Sequence, residues 1–152
     1  MVAANATAAI TLAGVKITHA NVDIGDGYSG IDLGSGATLN ITPQSGSSNV
    51  IIGGTATTGL PVPGIHAPEG STLAIDGNGS LTVTGGAGDS HSAAGIGGNM
   101  KNSGAGESCG NVIIISAVIT VHSGKPTYGI DKAVDIGGGS TGNGRGGDGE
   151  PS

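Results

Sequence analysis

The chain has 152 residues, room for one domain with its own core, and a formal net charge of −6. Its 33 glycines without a triplet period exclude collagen, and its scattered five Lys and Arg argue against nucleic-acid or anionic-membrane binding. A single cysteine, Cys109, excludes an internal disulfide framework, and no apolar run approaches the ~20 residues of a membrane helix.

The apolar residues fall in short, mostly β-branched runs such as Val50-Ile51-Ile52, Leu81-Thr82-Val83 and Val112-Ile113-Ile114-Ile115, which suit strands. Phe and Trp are absent, so any core is thin and aliphatic. Residues 1–9 lack the charged start of a signal peptide, so a secreted protein would be a mature form or an excerpt. The Ala-rich residues 1–14 contain one strand candidate at 9–12 and are also material for a short capping helix. Next, Gly14-Val15-Lys16-Ile17-Thr18 and Asn21-Val22-Asp23-Ile24 alternate apolar and polar residues, the period of a half-buried strand. Gly25-Asp26-Gly27 reads as a turn.

From Gly30 onward one dipeptide returns: Gly30-Ile31, Gly64-Ile65, Gly95-Ile96 and Gly129-Ile130, in steps of 34, 31 and 34 residues. Thr38-Leu39 and Thr72-Leu73 are also 34 apart. A fixed period of this size marks a stacked repeat. The expected fold is all-β: a right-handed parallel β-helix of about four coils of 31–34 residues, each with three short strands. Inward residues should stack as ladders, Ile31 on Ile65 on Ile96 on Ile130, and Leu39 on Leu73. The domain is 1–152, with 1–29 as N-terminal coil or cap, 30–136 as regular coils and 137–152 as a Gly-rich tail. That tail has high backbone entropy and should be disordered unless a neighbouring subunit or more chain holds it. An antiparallel sandwich or barrel also suits many short strands and Gly-rich turns, but would not repeat one dipeptide at this period.

The pattern Ala94-Gly95-Ile96-Gly97-Gly98, a polar insert over 99–108, then Cys109-Gly110-Asn111-Val112-Ile113-Ile114 and another Gly-Ile resembles the Gly-rich repeats of large bacterial cell-surface proteins. It is also similar to β-helical carbohydrate-binding and adhesin domains of the pectate-lyase-like superfamily. The resemblance covers about residues 30–137. It implies a right-handed β-helix, an extracellular or cell-surface setting of bacterial type, and attachment to glycan or surface as the role.

No catalytic constellation is legible. Asp32 and Asp131 both follow a Gly-Ile step, but stand about three rungs, roughly 14 Å, apart by sheet spacing. That is too far for a glycosidase pair. His66 and Gly97 hold that position in the coils between them. The only arginine, Arg145, lies in the tail. Asp23, Asp26 and Asp32 cluster in one region, the best place for a structural calcium, the one cofactor the pattern leaves room for. Asp76-Gly77-Asn78-Gly79 starts like a calcium loop but has Ala87 where the acidic twelfth ligand belongs, so it reads as a turn. The four histidines form no close ligand pair in sequence, and Cys109 reads as a buried structural thiol. Tyr28 and Tyr128 are the only aromatic platforms for a sugar, with Asp32 and Asp131 beside them as ligand candidates. Thr55-Ala56-Thr57 and Thr82-Val83-Thr84 hint at an ice-binding array, which Thr120-Val121-His122 breaks. The expected function is a non-enzymatic structural or adhesive module that self-associates or adjoins neighbouring domains of a longer chain. The alternatives are a polysaccharide-binding module and, more remotely, a polysaccharide lyase or hydrolase or an ice-binding protein. The insert and the unfinished fourth coil are the expected places for function.

Overall fold

A computed structural model describes residues 1–19, 28–55, 59–103, 105–128 and 133–140. The strands are β1 (Thr7–Leu12), β2 (Lys16–Thr18), β3 (Ile31–Asp32), β4 (Thr38–Pro43), β5 (Ser48–Ile52), β6 (Ile65–His66), β7 (Thr72–Thr84), β8 (Ile96–Gly97), β9 (Asn111–His122) and β10 (Ile136–Gly137). No helix occurs among the described residues, so the Ala-rich start is strand β1 and not a capping helix. Tertiary pairing decides this: Thr7 to Leu12 lie in parallel register on Thr38 to Pro43, and alternate residues turn inward.

Every strand-to-strand pairing is parallel. The antiparallel contacts described are isolated bridges, Pro68–Cys109 and Ala87–Ser92. The molecule is therefore a parallel β-solenoid, of about three turns. One sheet carries β1, β4, β7, β5 and β2 in that order, with β9 on the far side of β7, and the other carries β10, β8, β6 and β3. The inward columns run Ala8–Leu39–Leu73–Val112 and Ile10–Ile41–Ile75–Ile114 on one part of the large sheet. They run Ile17–Ile51–Val83–Val121 on the other. The middle members of these columns are completely buried and form the aliphatic core.

The Gly-Ile repeat stacks as Ile31 on Ile65 on Ile96. The reason for its glycine is close approach. A Cβ on Gly64 would sit 2.6 Å from Val83 Cγ1 and 2.7 Å from the Thr84 carbonyl oxygen, distances no real side chain tolerates. Gly30 and Gly95 meet Ile51 and Val121, the same column, in the same way. The dipeptide thus marks where the small sheet crosses against the edge of the large one.

Three expectations change. The fourth rung of the ladder is Ile136, paired with Ile96, and not Ile130; Gly129 and Ile130 lie outside the described residues. Asp135-Ile136-Gly137-Gly138 imitates Gly95-Ile96-Gly97-Gly98, and the Asp135 carbonyl takes the Ile96 N–H at 3.0 Å. Ordered stacking continues to Ser140, whose carbonyl accepts the Lys101 N–H. Second, the coils do not all hold three separate strands. Asp76 to Gly79 lie inside the 13-residue β7, so this segment is not a turn. The bend is absorbed by register shifts against β9 around Asp76. Third, the four stacked rungs of each sheet are joined by about three turns of chain, not four complete coils.

One polar side chain belongs to the core. Asn49 is 1% exposed. Its Oδ1 accepts the Gly14 and Val15 N–H groups, and its Nδ2 donates to Ser47 Oγ and the Ser80 carbonyl. Fully satisfied, it ties the corners of three successive coils together.

Candidate functional site

The position after each stacked isoleucine holds Asp32, His66, Gly97 and Gly137 in one column. Parallel pairing brings Asp32 and His66 side by side, and His66 Nδ1 lies 2.6 Å from Asp32 Oδ1. The next rung offers no side chain, because a Cβ on Gly97 would run into the Gly137 carbonyl. The insert fills that place. The described parts of the insert, 99–103 and 105–108, lie beside the column, and Glu107 Oε2 reaches His66 Nε2 at 2.7 Å. The same oxygen accepts the Asn99 N–H at 2.9 Å. The loop is closed by the Glu107 N–H on the Asn99 carbonyl, and Gly139 donates to the Glu107 carbonyl.

His66 is thus clasped between two carboxylates from other coils. Both bonds are made at once only when each ring nitrogen carries a hydrogen, which is the imidazolium. Burial opposes that charge. The hydrogen bonds from Glu107 and Asp32, and the charges behind them, outweigh it and hold the His66 pKa above its ordinary value. Glu107 answers in kind: its hydrogen bond to His66 holds its carboxyl below the usual range, against a burial effect in the opposite direction. With both nitrogens engaged, the imidazole has no free position from which to take a substrate proton. The arrangement locks three coils together.

Beside the clasp lies a cleft of about 560 Å³, lined by Ser35, Glu69, Lys101, Glu107 and Ser108 among others. It is polar and contains no aromatic platform. Tyr28 and Tyr128 stand elsewhere, 67% and 76% exposed. Tyr28 leans on His19 with ring centroids 5.9 Å apart, and the Tyr128 N–H is held by the Asp89 carbonyl. Asp23, Asp26 and Asp131 lie outside the described residues, and Asp32 is engaged with His66. Among the described residues no three His, Cys, Asp or Glu side chains are grouped to hold a metal ion. Cys109 is buried, and burial pushes its thiol up. Thr82 and Thr84 do face outward on β7, but their column neighbours are Val50 and Ile52 on one side and Thr120 and His122 on the other, so no threonine rank forms.

The clasp was within reach of the sequence. Asp32 and His66 are 34 residues apart, the repeat step, so a parallel coil had to put them together. The partnership of Glu107 had no such signal, because the insert breaks the period.

A second feature is the state of the two solenoid ends. β9 pairs with β7 along its length, and nothing among the described residues covers its other side. Ile113, Ile114, Ile115 and Val118 are 40%, 41%, 64% and 69% exposed. At the opposite end β1 and β2 pair only with β4 and β5, and Ala8, Ile10, Val15 and Ile17 are half-buried.

Compared with protein-family models, curated proteins and solved structures, the chain gives no match. The likeness to pectate-lyase-like and adhesin repeats rests on the sequence pattern.

Proposed function

We propose that the chain is a non-enzymatic structural module of an extracellular or cell-surface kind, which joins other β-structure end-on through its open coils. The observation that supports this most is β9, a 12-residue strand whose outer edge is unpaired among the described residues. Alternate residues of such a strand turn their N–H and C=O groups to the open side, where they seek partners. Soluble proteins commonly blunt long edges with lysine, proline, bulges or a covering element, and solenoids with polar caps. Within Asn111–His122 there is no charged Lys, Arg, Asp or Glu and no proline. Its large aliphatic side chains are exposed instead.

The clasp supports the same role. It spends its charged groups on holding coils together and leaves the imidazole no catalytic freedom. The Gly-, Ser- and Thr-rich, weakly charged composition suits an extracellular surface.

The test is mass by light scattering over a concentration series. The wild-type chain should grow in mass with concentration. A chain carrying Ile115→Lys and Val118→Lys, both at exposed edge positions, should stay at monomer mass with an unchanged β circular-dichroism spectrum. A wild-type chain that is monomeric at every concentration contradicts the proposal.

A further inference from the structure

We infer that the partner of the open β9 edge is the β1–β2 end of a second copy, stacked head to tail to form a polar filament. This rests on the end-joining reading above and names its occupant. The argument is one of register. To continue the solenoid, an incoming coil must match β9 on both parts of the large sheet at once, so the stretch between them must have the right length. Ile10 and Lys16 are the first-coil members of two columns whose last members are Ile114 and Thr120. In the first coil six positions separate the two columns, from Ile10 to Lys16. In the second coil nine separate them, from Ile41 to Val50, and in the third seven, from Ile75 to Thr82. In the last coil six separate them again, from Ile114 to Thr120. The two end coils therefore agree with each other better than either agrees with its own neighbour. A first coil laid on β9 therefore needs no residue inserted or removed between the two columns, whereas β7 on β9 does.

The side chains continue as well. Ala8 would follow Val112, Ile10 would follow Ile114, and Ile17 would follow Val121. The half-buried aliphatic surface of both ends would then become core. All strands remain parallel, so the contact is between unlike surfaces. It leaves a fresh β9 edge after every addition, which is the condition for an open filament rather than a closed dimer.

The third face adds one demand. Val2 bridges Leu33, and Gly138 continues the same column through Ala67 and Gly98. Residues 138–140 of one copy and 2–4 of the next therefore claim one place. Residues 2–4 are held to the next coil by the Val2 N–H on the Asp32 carbonyl and the Gly34 N–H on the Val2 carbonyl, while 138–140 are held by the Gly139 N–H on the Glu107 carbonyl, the Lys101 N–H on the Ser140 carbonyl and the buried Ser140 hydroxyl on the Ser92 carbonyl, so 2–4 are the segment that yields. Removing residues 1–4 should speed assembly.

The experiment uses the full chain with two new cysteines. Thr7 and Asn111 are exposed ends of one outward column. Within one copy they are three rungs apart, roughly 14 Å; across the proposed junction they are adjacent, about 4.8 Å apart. Thr7→Cys with Asn111→Cys, treated with a short thiol-to-thiol cross-linker, should give a ladder of dimers, trimers and higher multiples. Each single variant, which retains the buried Cys109, sets the background. Thr7→Cys with Ser116→Cys places the thiols out of register and should give no ladder. If assemblies form but the ladder is missing, or is equal in both double variants, the head-to-tail register is overturned while end-joining stands. If light scattering shows no assembly of the wild-type chain, both fall.

Discussion

β7 and β9 are neighbours in the same columns, yet they live in different environments. Leu73, Ile75, Leu81 and Val83 on β7 are 0% exposed. Their partners Val112, Ile114, Ile119 and Val121 on β9 are not fully buried, although β9 is the more aliphatic and β-branched strand. In a solenoid, burial is not a property of a strand's own sequence. It comes from having a coil on both sides, and stability is close to a sum over neighbours. An end coil as apolar as an inner one is matched to a neighbour it does not have within the described chain.

The largest expected effect separates these two strands with one substitution made twice. Ile75→Ala leaves a cavity between coils and should cost about 2–5 kcal/mol. Ile114→Ala, in the same column but 41% exposed, should cost roughly 1 kcal/mol or less in the dilute monomer. Denaturant unfolding of both variants checks this, and equal costs would mean that β9 is as enclosed as β7.

Next comes the corner that the core encloses. Asn49→Ala removes the buried acceptor of two part-buried N–H groups, those of Gly14 and Val15, and should cost about 1–3 kcal/mol. The loss should appear as faster amide exchange at Gly14 and Val15, where Oδ1 is bound, and leave β9 unaffected.

The smallest effect concerns the clasp, which joins the enclosed coils to the insert. The His66 pKa is raised, so its contribution is complete below the ordinary histidine value of 6.5 and is lost as pH climbs through the folded value. The Glu107 pKa is lowered, so its contribution is complete above the ordinary 4.5 and is lost as pH falls through the folded value. The clasp should therefore be tightest between about pH 4.5 and 6.5. Protection factors of the loop amides at 99–103 and 105–108, the observed rates corrected for intrinsic exchange at each pH, should be highest there. Glu107→Gln should lower the His66 pKa, read by NMR titration, and flatten the upper limb of that window. An unchanged His66 titration would show that Glu107 does not hold it.

The periodicity explains what could be read beforehand. Ile31, Ile65 and Ile96, and Leu39 with Leu73, repeat at the coil length, and each pair meets where the repeat requires. Parallel register follows from that spacing alone. The exceptions are places where a non-repeating segment wins a contact. Ile136 occupies the rung expected for Ile130 because Asp135-Ile136-Gly137-Gly138 copies the motif 40 residues after Ile96. Asp76 to Gly79 look like a turn but stay extended: Asp76 pairs with Ser116 on β9, and Gly77 and Gly79 pack closely on Pro43 and Gln44. Glu107 acts from an insert without a period. Tyr28 and Tyr128, singled out for their chemistry, are exposed, and their backbones are held by Gly54 and Asp89.

The account turns on whether the outer side of β9 acquires a neighbour. Hydrogen–deuterium exchange at low and high protein concentration tests this most directly. Protection of β9 amides that face away from β7 should rise with concentration, together with β1 and β2, while β7 stays protected throughout. If β9 exchanges at the same rate at every concentration, its edge takes no partner copy and the account is wrong.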